Sequence, residues 1–139
     1  MTLVFPTGEL SESDFIRHVT STARSFREST VCFPSAIPYR EQASEVSFLF
    51  LVPDDGLGWL NRLHGQLYSG PLGNSLDPTR PYIPHITVGK FKTFAEARAL
   101  SESVNSKEIC FCGQVSSIEV VRVASSSVQS VHSERLIGG

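Results

Sequence analysis

The sequence predicts an α+β fold, with helices packed on the outside of mostly antiparallel sheet. Three observations predict it. Apolar residues recur at helical spacing in three separated stretches. Short runs rich in β-branched and aromatic residues lie between them, bounded by Pro, Gly, Asn and Ser. From Glu108 onward the chain reads as strand after strand. The resulting order is strand, helix, strand, strand, helix, strand, helix, then strands, which does not suit a regular βαβ repeat.

Taken in order, residues 1–5 (Met-Thr-Leu-Val-Phe) have strand character and are stopped by Pro6, Thr7 and Gly8. Ser11 with Asp14 three residues on resembles a capping box, with Asp replacing the usual Glu or Gln. Phe15, Ile16, Val19, Ala23 and Phe26 then form one helical stripe over about residues 12–28. Thr30–Phe33 is a short strand ending at Pro34, and residues 34–44 read as loop. Glu45–Val52 is the strongest strand, an apolar run suited to the middle of a sheet. Pro53-Asp54-Asp55-Gly56 turns the chain, with a carboxylate placed to cap the next helix. That helix carries Leu57, Leu60, Leu63 and Leu67, and a Gly/Asn/Pro-rich loop follows to Thr79. Residues 86–91 form a strand. Thr93 with Glu96 is a full capping box for a third helix bearing Phe94, Ala97, Leu100 and Val104. Glu108–Cys112, Ser117–Val123 and Val128–Ile137 are the closing strands, with a turn at Ser125–Ser127.

At 139 residues the chain is read as a single domain, 1–139, able to bury a substantial core. A formal charge of −2 excludes sequence-independent affinity for nucleic acid, so a nucleotide partner must be held by a local pocket. The absence of a leader-like or long apolar run makes the cytoplasm the expected location, with no membrane partner. Cys32, Cys110 and Cys112 are too few and wrongly spaced for a zinc site or a disulfide framework. Cys110 and Cys112 are expected to share a strand face as small hydrophobes.

One stretch carries chemistry: Pro81-Tyr82-Ile83-Pro84-His85-Ile86-Thr87-Val88-Gly89-Lys90-Phe91. The two prolines keep the lead-in extended. Residues two apart on a strand point the same way, so His85 and Thr87 share one face while Ile86 and Val88 can enter a core from the other. Gly89 keeps the backbone clear for close approach. An imidazole beside a hydroxyl can move a proton and hold an anionic oxygen, although the same pair also occurs on ordinary polar strand faces.

The run Pro84-His85-Ile86-Thr87-Val88-Gly89-Lys90 resembles the second His-x-Thr-x signature of the 2H phosphoesterases. These include 2′-5′ RNA ligase-like proteins and cyclic nucleotide phosphodiesterases. The order of a buried strand, a helix with Leu63-His64 and Leu67, and a loop into the signature is also similar. The family carries a first signature too, His-x-Thr-Leu followed by an apolar residue, Phe and Pro. Thr2-Leu3-Val4-Phe5-Pro6 matches it from the residue after the His onward. Its histidine would stand immediately before Met1, and the first strand of the two-lobed fold would be missing with it. Two readings follow: a true start further upstream, or a family member without one catalytic histidine.

The resemblance implies a cleft where two His and two Thr face each other, and hydrolysis of a 2′,3′-cyclic phosphate or making and breaking of a 2′-5′ linkage. Carried over, His85 is the acid or base, and Thr87 and Thr2 bind phosphate oxygens. Tyr82 is a candidate for positioning the nucleotide. Lys90 and Arg80 are the nearest cations, each read first as a solvated surface charge; on a regular strand Lys90 faces away from Thr87. No metal and no cofactor are expected. The chain as written is expected to bind a nucleotide or RNA end with impaired turnover.

The other histidines do not fill the gap. His18-Val19-Thr20-Ser21 matches the pattern literally but lies in a helix, where residues two apart diverge by about 200°. His64 is expected to be packed or capping, and His132 to lie on the surface. Three function classes remain at this point: a phosphoesterase, a non-catalytic nucleotide or RNA-end binding module, and a homodimer formed through an exposed sheet edge.

Overall fold

Helix α1 spans Glu12–Ala23, and strands β1, β2 and β3 span Ser29–Phe33, Ser35–Arg40 and Ser47–Val52. Helix α2 covers Leu57–Leu67 and a 3₁₀ helix covers Gly70–Ser75. Strand β4 (Ile86–Phe91), helix α3 (Phe94–Asn105) and strands β5 (Phe111–Val115), β6 (Ser117–Ala124) and β7 (Ser127–Arg135) complete the chain. This computed structural model describes residues 1–42 and 44–138. Ala43, inside the expected 34–44 loop, and Gly139 lie outside the described residues. The chain is α+β with antiparallel pairing in the β2-β3-β4 sheet and the β6-β7 hairpin. It divides into two compact units.

The first unit comprises Met1–Thr2, Thr30–Gly58 and Tyr82–Gly113. Its sheet runs β2-β3-β4, with the apolar β3 central as its composition predicts. Helix α3 packs on this sheet and is closed by the capping box that the sequence predicts: Thr93 accepts from the Glu96 amide, and Glu96 accepts from the Thr93 amide. Ser35–Arg40, part of the stretch 34–44 expected as loop, is instead an edge strand. The Ala36 amide donates to Asn105 Oδ1 (2.8 Å) and its carbonyl accepts from Asn105 Nδ2 (2.9 Å). Ala36 therefore directs its polar groups away from β3, and Pro38, two residues on, does the same. The missing N–H falls where no ladder bond is needed.

In β4 the register departs from regular alternation. Leu49 pairs with Gly89, but Phe50 pairs with Thr87, leaving Val88 as an extra residue. The bulge explains why Val88 is 51% exposed and does not enter the core as expected, whereas Ile86, paired with Leu51, is half-buried. Gly89 is needed on the core face. A Cβ there would meet the Phe91 ring at 2.6 Å, so what approaches the glycine is an aromatic side chain of its own strand.

The cysteines also depart from expectation. Cys32 of β1 and Cys112 of β5 form a disulfide across 80 residues, and Cys110 is a free, exposed thiol just before β5. Spacing along the chain gave no sign of this because the pairing of β1 with β5 brings the residues together.

The second unit comprises Leu3–Ser29, Trp59–Pro81 and Gln114–Gly139. Helices α1 and α2 bury Val19, Ala23, Leu63 and Leu67 against Ile118 and Val120 of β6 and Leu136. The stripes predicted for both helices supply this core, and the β6-β7 hairpin turns at Ser125–Ser126. Ser11 caps α1 by accepting from the Asp14 amide (3.2 Å).

The expected strand at residues 1–5 does not form. Its backbone is engaged by side chains instead. His64 Nδ1 donates to the Leu3 carbonyl (2.7 Å), and the Phe5 amide donates to Tyr68 Oη (3.1 Å). These bonds take up groups that a sheet ladder would otherwise use.

Candidate active site

Strand β4 and the irregular segment 81–85 before it place the imidazole. The His85 ring stacks on Phe50 of β3, with centroids 3.7 Å apart and planes 18° from parallel. His85 Nδ1 lies 2.6 Å from the Ile83 carbonyl oxygen. A carbonyl only accepts, so Nδ1 carries a proton in this contact, and Nε2 is the ring nitrogen left for another partner. Two fixed points, the stack and the Nδ1 bond, set the plane and direction of the ring.

Thr87 follows on the same face and is exposed. Cross-strand partners share a sheet face, so the β3 pairings decide where Lys90 stands. Thr87 pairs with Phe50 and Lys90 with Phe48, and Phe48 and Phe50 point the same way from β3. Lys90 therefore shares the face of Thr87. The expectation that it faces away assumes unbroken alternation, which the bulge at Val88 interrupts.

This face has an aromatic floor. Tyr39 of β2 pairs with Phe48 and stacks on Phe50 at 4.9 Å, and Phe48 lies 6.1 Å from Phe50. The period-two run Phe48-Leu49-Phe50 was the sequence signal for it, but an apolar strand does not reveal which face a site uses. Arg40, on the opposite face with Ser47 and Leu49, lies 5.5 Å over the Phe94 ring of α3, which identifies the face that the helix covers.

Tyr82 precedes the strand, and burial pushes its phenol up to about 12. It is a neutral hydroxyl at physiological pH. Thr2 is exposed and falls in the same unit as His85. Arg80 belongs to the second unit, its guanidinium 3.8 Å over the Phe5 ring. Thus Tyr82, His85, Thr87 and Lys90 lie along β4 and its lead-in.

The remaining histidines are tied within the second unit. His18 Nε2 donates to the Leu67 carbonyl at the end of α2 (2.8 Å), and His64 holds Leu3. His132 is half-buried, and its Nε2 lies 3.2 Å from Glu134 Oε2. The Thr20 hydroxyl donates to that same oxygen (3.0 Å), and together the two bonds lower the Glu134 pKa, the threonine contributing most.

A family model of the 2'-5' RNA ligase superfamily matches residues 1–126. The chain belongs to the 2'-5' RNA ligase superfamily. The superfamily match spans both Thr2-Leu3-Val4-Phe5-Pro6 and His85-Ile86-Thr87-Val88, the segments on which the resemblance rests. No curated protein matches the chain. Among the described residues, no helix of this superfamily member is long and apolar enough to cross a membrane.

Proposed function

We propose that the protein is a phosphoesterase acting on RNA ends or nucleotides, opening a 2′,3′-cyclic phosphate or acting on a 2′-5′ linkage. The observation that carries this reading is the orientation of His85. Its Nδ1 is tied to the Ile83 carbonyl and its ring is stacked on Phe50, so Nε2 is the proton-transferring atom beside Thr87. As a base, Nε2 takes a proton from the attacking hydroxyl or water; as an acid, it returns one to the leaving ribose oxygen. Thr87 and Thr2 donate to non-bridging oxygens, and Lys90 adds a positive charge on the Thr87 face. Tyr39 and Phe48 offer ring faces for a base, and Tyr82 positions the nucleotide as a neutral hydroxyl. The cytoplasm, where RNA ends are processed, is the setting proposed for it.

A specific observation favours a second reading. His18, His64 and His132 are all held by structural partners. One imidazole then supplies all the acid and base help, and losing a partner of this kind typically removes about 10²–10⁴-fold in rate. On this reading the protein binds RNA ends with little turnover.

Hydrolysis of 2′,3′-cyclic adenosine monophosphate, measured beside equilibrium binding of the same nucleotide, separates the two. Turnover lost in His85→Ala supports the enzyme, and binding without turnover selects the second reading. Turnover undiminished in His85→Ala overturns the role given to His85.

A further inference from the structure

Three sulfurs meet in the first unit, and none of them has a part in the phosphoryl chemistry proposed above. Cys32 and Cys112 are bonded, Cys110 Sγ lies 3.7 Å from Cys112 Sγ, and all three sulfurs fall within 4.8 Å of one another. Cys110 and Cys112 are exposed and Cys32 is half-buried on β1. Among the described residues, no His, Asp or Glu joins the group.

We propose that the reduced protein binds a thiophilic divalent cation, Zn²⁺, through Cys32, Cys110 and Cys112, and that the Cys32–Cys112 disulfide excludes it. Around tetrahedral Zn²⁺, with Zn–S about 2.3 Å, neighbouring sulfurs are separated by roughly 3.8 Å. The Cys110–Cys112 pair already stands at that separation. Reduction frees Cys32 to complete a three-sulfur face, with two ligands from the β5 end and one from β1. The exposure of Cys110 and Cys112 leaves the fourth position to water or an added ligand. Thiolate donors select Zn²⁺ over Mg²⁺ or Ca²⁺, which prefer oxygen. The chemistry balances with a dithiol as reductant. The protein disulfide takes two electrons and two protons while the dithiol becomes a disulfide, and metal binding then releases the thiol protons.

The test uses the full chain without a polyhistidine tag, reduced by a phosphine, which takes its oxygen from water to become the phosphine oxide, under exclusion of oxygen gas and titrated with Co²⁺ as a spectroscopic probe. Expected are equimolar binding, thiolate-to-metal charge-transfer absorption in the near ultraviolet and tetrahedral d–d bands, all displaced by Zn²⁺ and untouched by Mg²⁺. The oxidised chain shows none of these. Cys110→Ser, at an exposed position, keeps the circular dichroism of the wild type and weakens Co²⁺ binding by at least about 100-fold. Absence of the charge-transfer band in the reduced wild type overturns the proposal. So does unchanged affinity in Cys110→Ser, or one ion shared between two chains.

Discussion

Two segments of this molecule spell His-x-Thr, and they do opposite things. In the first unit, His85-Ile86-Thr87 lies at the start of β4, where the two-residue spacing sets both side chains on one face. There the imidazole is fixed through Nδ1 and by Phe50, and the threonine is exposed. In the second unit, His18-Val19-Thr20 lies within α1, where the same spacing turns the side chains apart. His18 closes the end of α2 through the Leu67 carbonyl, and Thr20 bonds Glu134. The His-x-Thr pattern is the same; the backbone period decides whether the pair shares one face or becomes two separate pieces of packing.

The strongest way to break this comparison is to remove each imidazole. His85→Ala is expected to lower kcat/KM for 2′,3′-cyclic nucleotide hydrolysis by about 10²–10⁴-fold, with the melting temperature nearly unchanged. His18→Ala should leave kcat intact and cost about 1–2 kcal/mol in urea unfolding, because the Leu67 carbonyl loses its donor. Equal losses of activity in both variants would erase the distinction. The two threonines sharpen it further. Thr87→Val is expected to reduce kcat by on the order of 10²-fold through loss of a donor to the developing charge, and Thr20→Val to leave kcat as it is.

A stability comparison follows at Gly89, whose replacement by Ala pushes a Cβ into the Phe91 ring. Unfolding should be easier by about 1–3 kcal/mol, and a neutral result would mean that the ring is free to move. At Lys90, replacement by Gln is expected to weaken nucleotide binding a few-fold at low salt, with the difference fading as salt rises. The exposed Lys92, just past β4, serves as the control. A Lys90 variant that binds like wild type at every salt concentration would return Lys90 to the solvated surface.

The smallest effect is on the second unit's side of the comparison. The Thr20 hydroxyl and His132 hold the Glu134 carboxyl below its usual range. Stability from this group is therefore fully present above the ordinary glutamate value and lost as pH falls through the depressed one. Melting temperatures measured from pH 5 downward should fall more steeply for the wild type than for Thr20→Val. Parallel slopes would remove Glu134 from the account.

Much of the architecture was legible before any contact was known. The Ser11 and Thr93 caps, the stripes of α1 and α2 and the limits of β4 depend on residues within one or two turns of each other; α3 instead buries Ala97 and Ser101, and Leu100 of its expected stripe is 42% exposed. Of the site, the His85–Thr87 pairing was legible for the same reason. Its aromatic floor was not, because Tyr39 and Phe48 become part of it only when β2 and β3 pair.

By itself, the sequence determined where helices start, which strand is central and that His85 and Thr87 share a face, since these follow from local periodicity and capping. Tertiary structure alone decided the rest. Asn105 made an edge strand out of a proline-containing loop, and the bulge at Val88 turned Lys90 onto the side of Thr87. The pairing of β1 with β5 brought Cys32 to Cys112. Each outcome depends on a partner far along the chain, and hydrogen-bond register with such a partner is not encoded in the spacing of neighbours.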